Sequence, residues 1–223
     1  MVDIKRNTVA DIRDTFVRKY QSEEFCANGT IEVTAASFIA DEDSIFGVPN
    51  LTYIKKELAW YHSNNLNIDG LEPDIPKIWR QVASKKGLIN SNYGWCIYSK
   101  ENNNQFAQSI VQLVKDPHSR QAVMIYTRPT MHQDAIKDSM NDFMCTNTVQ
   151  LLLRDNKLEY HVNMRSNDVV FGYNNDYAWH KNVYDKCIEV LSKFYTLDRG
   201  NIFWHAGSLH VYPRHFHLIE EAS

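Results

Sequence analysis

The chain has 223 residues, and 24 lysine and arginine residues against 27 aspartate and glutamate residues give a formal net charge of −3. This length suits one large domain or two small ones, and 43% hydrophobic residues are typical of a globular protein. The negative net charge disfavours broad binding to nucleic acid, and no apolar run reaches the roughly 20 residues that span a bilayer. We therefore expect neither nucleic acid nor a membrane as a partner.

The predicted elements alternate between helical and strand periodicity, which predicts an α+β fold with helices packed on a mixed β-sheet. In chain order they are a helix from Thr8 to about Tyr20, strand pieces at Ile31–Val33 and Phe38–Ile39, helices over Leu51–His62 and Asn103–Lys115, strands at Ala122–Tyr126, Thr148–Leu153 and Leu158–Met164, a long core helix from Trp179 to Phe194, and a strand pair within Ile202–Tyr212. Without repeats or linkers, we predict a single domain over residues 1–223.

The four cysteines, Cys26, Cys96, Cys145 and Cys187, lie far apart and form no CxxC pair. This spacing predicts neither a zinc site nor a disulfide framework, and it favours a reducing cytoplasm. Cys145 directly precedes an apolar strand. It is either a small buried hydrophobic residue or a nucleophile whose pKa is lowered by nearby cations.

Two polar features stand out among the predicted elements. Glu57 lies on the edge of a helical stripe formed by Leu51, Ile54, Leu58 and Tyr61, and this position by itself favours an acid on the helix surface. The polar segment from Arg165 to Asp168 follows a strand. Arg165 and Ser166 together suit a phosphate group, although a surface ion pair in a polar loop is the competing interpretation.

Eight short motifs follow one another along the chain. They are Ile45-Phe46-Gly47, Glu57 to Tyr61, Ile78-Trp79, Tyr93-Gly94-Trp95, Ser119-Arg120, Cys145 with Gln150, Arg165 to Asp168 with Gly172, and His210-Val211-Tyr212. In this order they resemble the thymidylate synthase superfamily from about Ser37 to His215. The resemblance implies that superfamily's fold, a single catalytic domain and a symmetric homodimer.

Within that superfamily, the segments from Asp142 to Gln150 and from Asn163 to Gly172 resemble the bacteriophage deoxycytidylate hydroxymethylases. Methylating synthases carry a histidine where this chain has Thr146. Members that act on uracil carry an asparagine where this chain has Asp176. Cytosine accepts a hydrogen bond at N3 and donates one from its 4-amino group, which a carboxyl group can match. The resemblance therefore implies one-carbon transfer to C5 of dCMP.

The resemblance also implies a role for each candidate site residue. Cys145 attacks C6 of the base, Glu57 manages protons and organises water, and Asp176 reads the base. Substrate contacts are implied for Arg120, Arg165, Ser166, Gln150, His210 and Tyr212, and cofactor contacts are implied for Asp168 and Trp79. The implied co-substrate is 5,10-methylenetetrahydrofolate, water captures the one-carbon unit to give 5-hydroxymethyl-dCMP, and no metal ion is expected.

The resemblance places the Arg120 side chain in the phosphate site of the partner subunit of the dimer. Two positions depart from the family pattern: Gln121 replaces the second of two paired arginines, and Ser37 stands where the family has an earlier phosphate arginine. Alternatives that stay open are a CMP hydroxymethylase, a thymidylate synthase acting on dUMP, and a non-catalytic nucleotide- or RNA-binding homologue. For a viral protein, the expected location is the host cytoplasm.

Overall fold

The computed structural model describes residues 6–222, which contain eight α-helices and six β-strands. The helices are α1 (Val9–Gln21), α2 (Leu51–His62), α3 (Lys77–Val82), α4 (Tyr93–Tyr98), α5 (Gln105–Lys115), α6 (Met131–Asp134), α7 (Phe171–Leu191) and α8 (Phe216–Glu220). The strands are β1 (Asn7–Thr8), β2 (Ile31–Ile39), β3 (Val123–Ile125), β4 (Thr146–Arg154), β5 (Lys157–Asp168) and β6 (Asp198–Val211). No helix within the described residues is both long enough and apolar enough to cross a bilayer.

The strands form one mixed sheet in the order β1-β2-β6-β5-β4-β3. β2 runs antiparallel to β6, whereas β5 runs parallel to β6. A tight turn joins β4 to β5, and its residues Asp155 and Asn156 have φ angles of 49° and 58°. Aspartate and asparagine tolerate this left-handed region, which two-residue hairpin turns require. The mixed sheet with packed helices confirms the predicted α+β class.

The chain divides into two compact units. One unit contains the described residues up to 49 and those from 151 onwards, and the other contains residues 50–150. In the first unit, α7 packs against β5. Alternate residues of β5 are fully buried, as expected for a strand with one face on the core: Leu158, Tyr160 and Val162. The single-domain prediction stays a prediction, because this division does not test independent folding.

The first helix is confirmed at both ends. The Thr8 hydroxyl accepts a hydrogen bond from the Asp11 amide, and the Asp11 carboxylate accepts one from the Thr8 amide, which closes a capping box. This box satisfies backbone donors that the first turn would otherwise leave unpaired. The helix then runs to Gln21, one residue past the predicted end.

Three predicted elements are corrected. The strand pieces at Ile31–Val33 and Phe38–Ile39 belong to one continuous strand, β2, because residues 31–39 pair with β6 along its length. The predicted strand pair within Ile202–Tyr212 is likewise a single strand, β6. The long helix begins at Phe171, well before Trp179, and ends at Leu191, so Phe194 lies outside it and is 56% exposed.

Candidate active site

Cys145 lies directly before β4, as the sequence predicts, and it is partly exposed. Cys96 and Cys187 are buried. Burial raises the pKa of the Cys96 thiol to about 12 and raises the pKa of Cys187 as well. Neither buried thiol forms a thiolate easily, since an apolar interior disfavours the charge. Cys26, which is also partly exposed, directs its sulfur toward Glu32 Oε2 at 3.9 Å.

The loop before Cys145 is anchored by the buried carboxylate of Asp142. Asp142 Oδ2 accepts hydrogen bonds from the backbone amides of Asn90 and Ser91, both at 2.7 Å. Asp142 Oδ1 accepts from the Ser91 hydroxyl at 2.7 Å. The Asn90 side chain donates to the Asp142 carbonyl and accepts from the Arg128 guanidinium at 2.7 Å. This network ties the segment that carries Cys145 to the residues just before α4.

Asp142→Ala is expected to lower the free energy of unfolding by roughly 2–4 kcal/mol, because three buried donors lose their acceptor. Chemical denaturation of the wild-type protein and of Asp142→Ala measures this difference in the free energy of unfolding. Asp74→Ala is the matched control: Asp74 is an exposed acid of the same unit, and its replacement should change stability by less than about 0.5 kcal/mol. Equal losses in the two variants would contradict the anchoring role of Asp142.

Glu57 lies on the buried face of α2, and this corrects the predicted stripe. Ile54, Glu57, Trp60 and Tyr61 are buried, whereas Leu51 is 64% exposed. Burial raises the pKa of Glu57 to about 7. The hydrogen bond from Tyr53 and the nearby indole N–H of Trp79 favour the ionised form and offset part of that shift. The carboxyl group therefore titrates near neutral pH, as a proton carrier requires.

Tyr53 and Trp79 form a hydrogen-bonded chain to Glu57. The Tyr53 hydroxyl donates to Glu57 Oε1 at 2.5 Å, and Trp79 Nε1 donates to the Tyr53 hydroxyl at 2.8 Å. Trp79 is partly buried on α3. Tyr53 received no role from the sequence, although its position one helical turn before Glu57 was the available signal.

Gln150 and Arg120 lie close together in the second unit, at the edge of the β3–β4 pair. The Gln150 side-chain amide donates to the backbone carbonyl of Arg120 at 2.9 Å, while Arg120 itself is exposed. Gln150 pairs in register with Val123. This hydrogen bond uses one N–H of the Gln150 side chain, and the side-chain oxygen of Gln150 takes no part in the contact. The substrate roles of both residues stay predictions.

In the first unit, the segment from Arg165 to Asp168 is the last part of β5 rather than a loop. The prediction that this segment follows the strand as a loop is therefore wrong, whereas a surface ion pair of Arg165 stays a possible interpretation. Ser166 pairs in register with Ser208 of the parallel strand β6, and Arg165 is exposed. Strand pairing continues to Asp168 because β6 supplies backbone partners as far as His210. The polar side chains of this segment did not indicate that pairing.

Asp168 caps the start of α7. Its Oδ2 accepts from the backbone amides of Phe171 at 3.0 Å and Gly172 at 3.2 Å, and its Oδ1 accepts from Val170 at 3.4 Å. A carboxylate is favourable there because the first turn of a helix exposes unpaired amides and carries a positive partial charge. Asp176 lies on the second turn of α7, which begins at Phe171. The Asn167 side chain donates to Asp176 Oδ2 at 2.8 Å.

His210 and Tyr212 lie at the end of β6. The His210 Cα pairs with that of Asp168, and the rings of His210 and Tyr212 meet edge to face at 5.0 Å. Ser208 contacts His210 Nδ1 at 3.4 Å. Within residues 6–222, no group of three or more histidine, cysteine or acidic side chains is arranged to hold a metal ion. The prediction that no metal takes part stays a prediction.

The structure thus brings the predicted residues together in pairs within each unit. Glu57 joins Trp79, Gln150 joins Arg120, and Asp168 lies beside His210 in the sheet. Sequence reasoning missed Asp142 and Asn167 as contact-making residues. Both lie in the segments that resemble the hydroxymethylases, but neither carries a local signal for its partner, because the partners are 51–52 and 9 residues away.

A family model described as thymidylate synthase matches residues 49–222. Together with the fold and the cysteine, arginine and His-x-Tyr motifs, this match shows that the chain belongs to the thymidylate synthase family. The predicted family membership is confirmed.

Individual relatives and one solved structure show which members of the family the chain resembles. The chain is 54% identical over 194 residues to the deoxycytidylate 5-hydroxymethyltransferases of Enterobacteria phages T4 and T2, covering 86% of this chain and 79% of each relative. It is 25% identical over 175 residues to the thymidylate synthase of Francisella philomiragia, covering 74% of this chain and 62% of the relative. The solved structure of thermostable thymidylate synthase A from Bacillus subtilis has the same fold, with a TM-score of 0.70 at 20% identity over 96% of this chain and 83% of that chain.

Proposed function

We propose that this protein transfers a one-carbon unit from 5,10-methylenetetrahydrofolate to C5 of dCMP and that water captures it, giving 5-hydroxymethyl-dCMP. The 54% identity to phage deoxycytidylate 5-hydroxymethyltransferases over most of the chain carries the proposal. Asp176 adds a chemical reason, because its carboxyl group suits the hydrogen-bonding edge of cytosine. The protein is thus a transferase of nucleotide biosynthesis. We place it in a reducing cytoplasm, that of the host if the protein is viral.

Cys145 forms the covalent bond in this mechanism. Its thiolate adds to C6 of the base, which makes C5 nucleophilic. When bound, methylenetetrahydrofolate supplies a carbon at the oxidation level of formaldehyde. Once C5 had bonded to that carbon and lost its proton, the bond from the carbon to the folate nitrogen would break, water would add to the resulting exocyclic methylene, and the C6–S bond would break, which frees Cys145. No hydride is transferred, so tetrahydrofolate leaves rather than dihydrofolate.

Glu57 handles the proton that water loses when it adds. A group that takes up a proton near neutral pH needs a pKa near 7, and burial gives Glu57 a pKa of about 7. Tyr53 and Trp79 hold its carboxyl group in one orientation through the hydrogen bonds described above. Asp176 reads the base from the second turn of α7.

Two residues present fit a folate. Asp168 uses its Oδ2 for two backbone amides, but its Oδ1 makes one contact at 3.4 Å, which leaves acceptor capacity for the N–H groups of a pterin ring. The Trp79 indole is partly exposed, so it presents an aromatic surface on which a flat ring can stack. We assign Asp168 and Trp79 to the folate on these grounds.

Arg165 and Ser166 bind the phosphate of the nucleotide, through a guanidinium fork and a hydroxyl donor. His210 and Tyr212 contact the sugar hydroxyls, and Gln150 contributes the side-chain oxygen that its bond to Arg120 leaves unused. Arg120 is exposed, which suits a role in the phosphate site of a partner subunit. We therefore propose a twofold homodimer in which each subunit completes the other's phosphate site.

Product analysis tests the proposed function. The purified protein is incubated with methylenetetrahydrofolate and each of dCMP, CMP, dUMP and UMP, and the nucleotide product and the folate product are identified by mass spectrometry. We expect 5-hydroxymethyl-dCMP with tetrahydrofolate. Stoichiometric dihydrofolate and a 5-methyl product would indicate a synthase, preference for CMP would change the sugar assignment, and no turnover with any nucleotide would favour a binding protein.

Asp176→Asn is expected to shift preference from cytosine toward uracil nucleotides. The asparagine amide has a hydrogen-bonding pattern that suits uracil, whereas the aspartate carboxyl group suits cytosine. A buried donor or acceptor that lacks a matching partner costs about 1–3 kcal/mol, or roughly tenfold to a hundredfold in selectivity. The ratio of kcat/KM for dCMP to that for dUMP measures the shift. Asp185→Asn is a control, because this acid lies on the same helix and contacts Lys181 and Arg199 on the surface. An unchanged ratio in Asp176→Asn would assign base reading to another residue.

Subunit mixing tests the role of Arg120. The Arg120→Ala and Cys145→Ala dimers should each be nearly inactive, for different reasons. In a mixed dimer, one site combines an intact Cys145 with an intact Arg120 from the other chain, so exchange should restore up to about a quarter of wild-type activity if chains pair at random. Native mass spectrometry confirms that exchange has occurred. Exchange without recovered turnover would mean that Arg120 does not act across the dimer.

A further inference from the structure

Asn167 links the end of β5 to the second turn of α7. It is 2% exposed, and its side-chain nitrogen donates to Asp176 Oδ2 at 2.8 Å. A hydrogen bond to a carboxylate is short and strong compared with one between neutral groups. Because Asn167 lies on β5 and pairs in register with Leu209 of β6, the sheet holds its backbone, and its side-chain amide is placed to orient the Asp176 carboxyl group.

The side-chain oxygen of Asn167 indicates that this residue does not serve to stabilise the fold. Its side-chain oxygen is buried and has no hydrogen-bond partner within the described residues. Leaving a buried acceptor unpaired is unfavourable, so an apolar side chain of the same size would serve the fold at least as well. The polar contact that does form is the one to Asp176.

Gly172 provides the space for this contact. A Cβ atom at position 172 would lie 3.1 Å from Asn167 Nδ2 and 3.2 Å from the Cβ of Asp168. Both distances are tighter than ordinary contacts, so any larger residue would press on the donating nitrogen. The first turn of α7 thus leaves room for the Asn167 amide beside Asp176.

We propose that Asn167 is a positioning residue that determines base specificity through Asp176. An amide N–H only donates, so the oxygen it contacts, Oδ2, must act as an acceptor. Any proton on the carboxyl group is therefore carried by Oδ1. With that orientation, Oδ1 faces N3 of cytosine and the second lone pair of Oδ2 receives the 4-amino group. This inference rests on the proposed function, because it assumes that Asp176 reads a cytosine base.

The consequence is a defined loss of discrimination when the amide is removed. Without the Asn167 donor, Oδ2 loses the bond that fixes it as an acceptor, so the carboxyl group is oriented less strictly and part of the pairing with cytosine is lost. The bond removed is one to a charged or polar acceptor, worth about 1–3 kcal/mol, which corresponds to roughly fivefold to a hundredfold in relative affinity. Uracil binding, which does not use this pattern, should change less.

The experiment compares Asn167→Leu with Asn174→Leu. Asn174 is a matched control because it is also buried. Within residues 6–222 its side-chain oxygen also lacks a hydrogen-bond partner, and no hydrogen bond joins Asn174 to Asp176. Calorimetry gives the dissociation constants of each variant for dCMP and dUMP, and thermal denaturation reports the fold. We expect the dCMP preference to fall in Asn167→Leu and to stay within about twofold of wild type in Asn174→Leu. Asn167→Ser is measured as well, in case the leucine variant does not fold.

A double-mutant cycle with Asp176→Asn separates positioning from a general effect on packing. If Asn167 acts through Asp176, the Asn167 substitution should change the dCMP preference much less in the Asp176→Asn background. An unaltered preference in folded Asn167 variants, or an equal change in both backgrounds, overturns the inference. Wild-type protein that binds dCMP but forms no 5-hydroxymethyl-dCMP would instead count against the proposed function, so the two failures are distinguishable.

Discussion

Cys145→Ala is expected to abolish formation of 5-hydroxymethyl-dCMP, with kcat reduced by on the order of 10⁴-fold or more, as for other enzymes that lose their nucleophile. The physical reason is that only a thiolate adds to C6 of the pyrimidine under mild conditions. Cys145 is one of two partly exposed cysteines, and it lies directly before β4 on a loop anchored by Asp142. Nucleotide binding and the fold should be largely retained, because the substitution removes a single sulfur atom at a partly exposed position.

Release of tritium from dCMP labelled at C5 measures this first chemical step without relying on product formation. Cys26→Ala is the matched control, since Cys26 is partly exposed but lies outside the family motif. It should exchange tritium at close to the wild-type rate. Continued exchange in Cys145→Ala, with normal dCMP binding, would exclude Cys145 as the nucleophile.

Glu57→Gln is expected to lower kcat/KM for dCMP by about 10²- to 10⁴-fold, the usual contribution of a general base. The pH dependence should change with it. In the free wild-type enzyme, burial gives Glu57 a pKa of about 7, so the carboxylate that accepts a proton from water is formed as the pH rises through 7. The activity of the wild-type enzyme should therefore increase up to about pH 7 and then level off. The glutamine variant should lack this rising limb of the pH profile.

Tyr53→Phe tests the cause of that limb. The Tyr53 hydroxyl donates to Glu57 at 2.5 Å and favours the ionised form, so its removal should raise the pKa of Glu57 and move the limb to higher pH. A limb that stays in place in Tyr53→Phe, or that persists in Glu57→Gln, would assign the ionisation to another group.

Stability measurements separate this chemistry from unfolding. The folded-state pKa of Glu57 lies above its ordinary value of 4.5, so the folded protein holds more protons between pH 4.5 and 7 than the unfolded chain does. The contribution of Glu57 to stability consequently falls as the pH rises through this window. Glu57→Gln should be at least as stable as wild type at pH 8, where the wild-type protein keeps a buried carboxylate.

The α+β class and the family were predictable because they depend on local patterns. The Thr8 capping box, the bounds of α2 and the position of Cys145 before a strand each follow from residues within a few positions of one another. The errors arose where local patterns were interrupted. The polar residues Arg165 and Asp168 gave no sign of strand pairing, and the start of α7 was missed because its first turn has no apolar stripe.

The sequence by itself thus determined the α+β class and the family, and it supplied the candidate residues for the chemistry. Only the tertiary structure decided the environment of those residues. It buried Glu57 and raised its pKa, paired Asp142 with amides 51–52 positions earlier, and directed the Asn167 amide at Asp176. The physical reason is that desolvation and hydrogen bonding depend on which distant segments pack around a side chain, and periodicity along the chain carries no information about those neighbours.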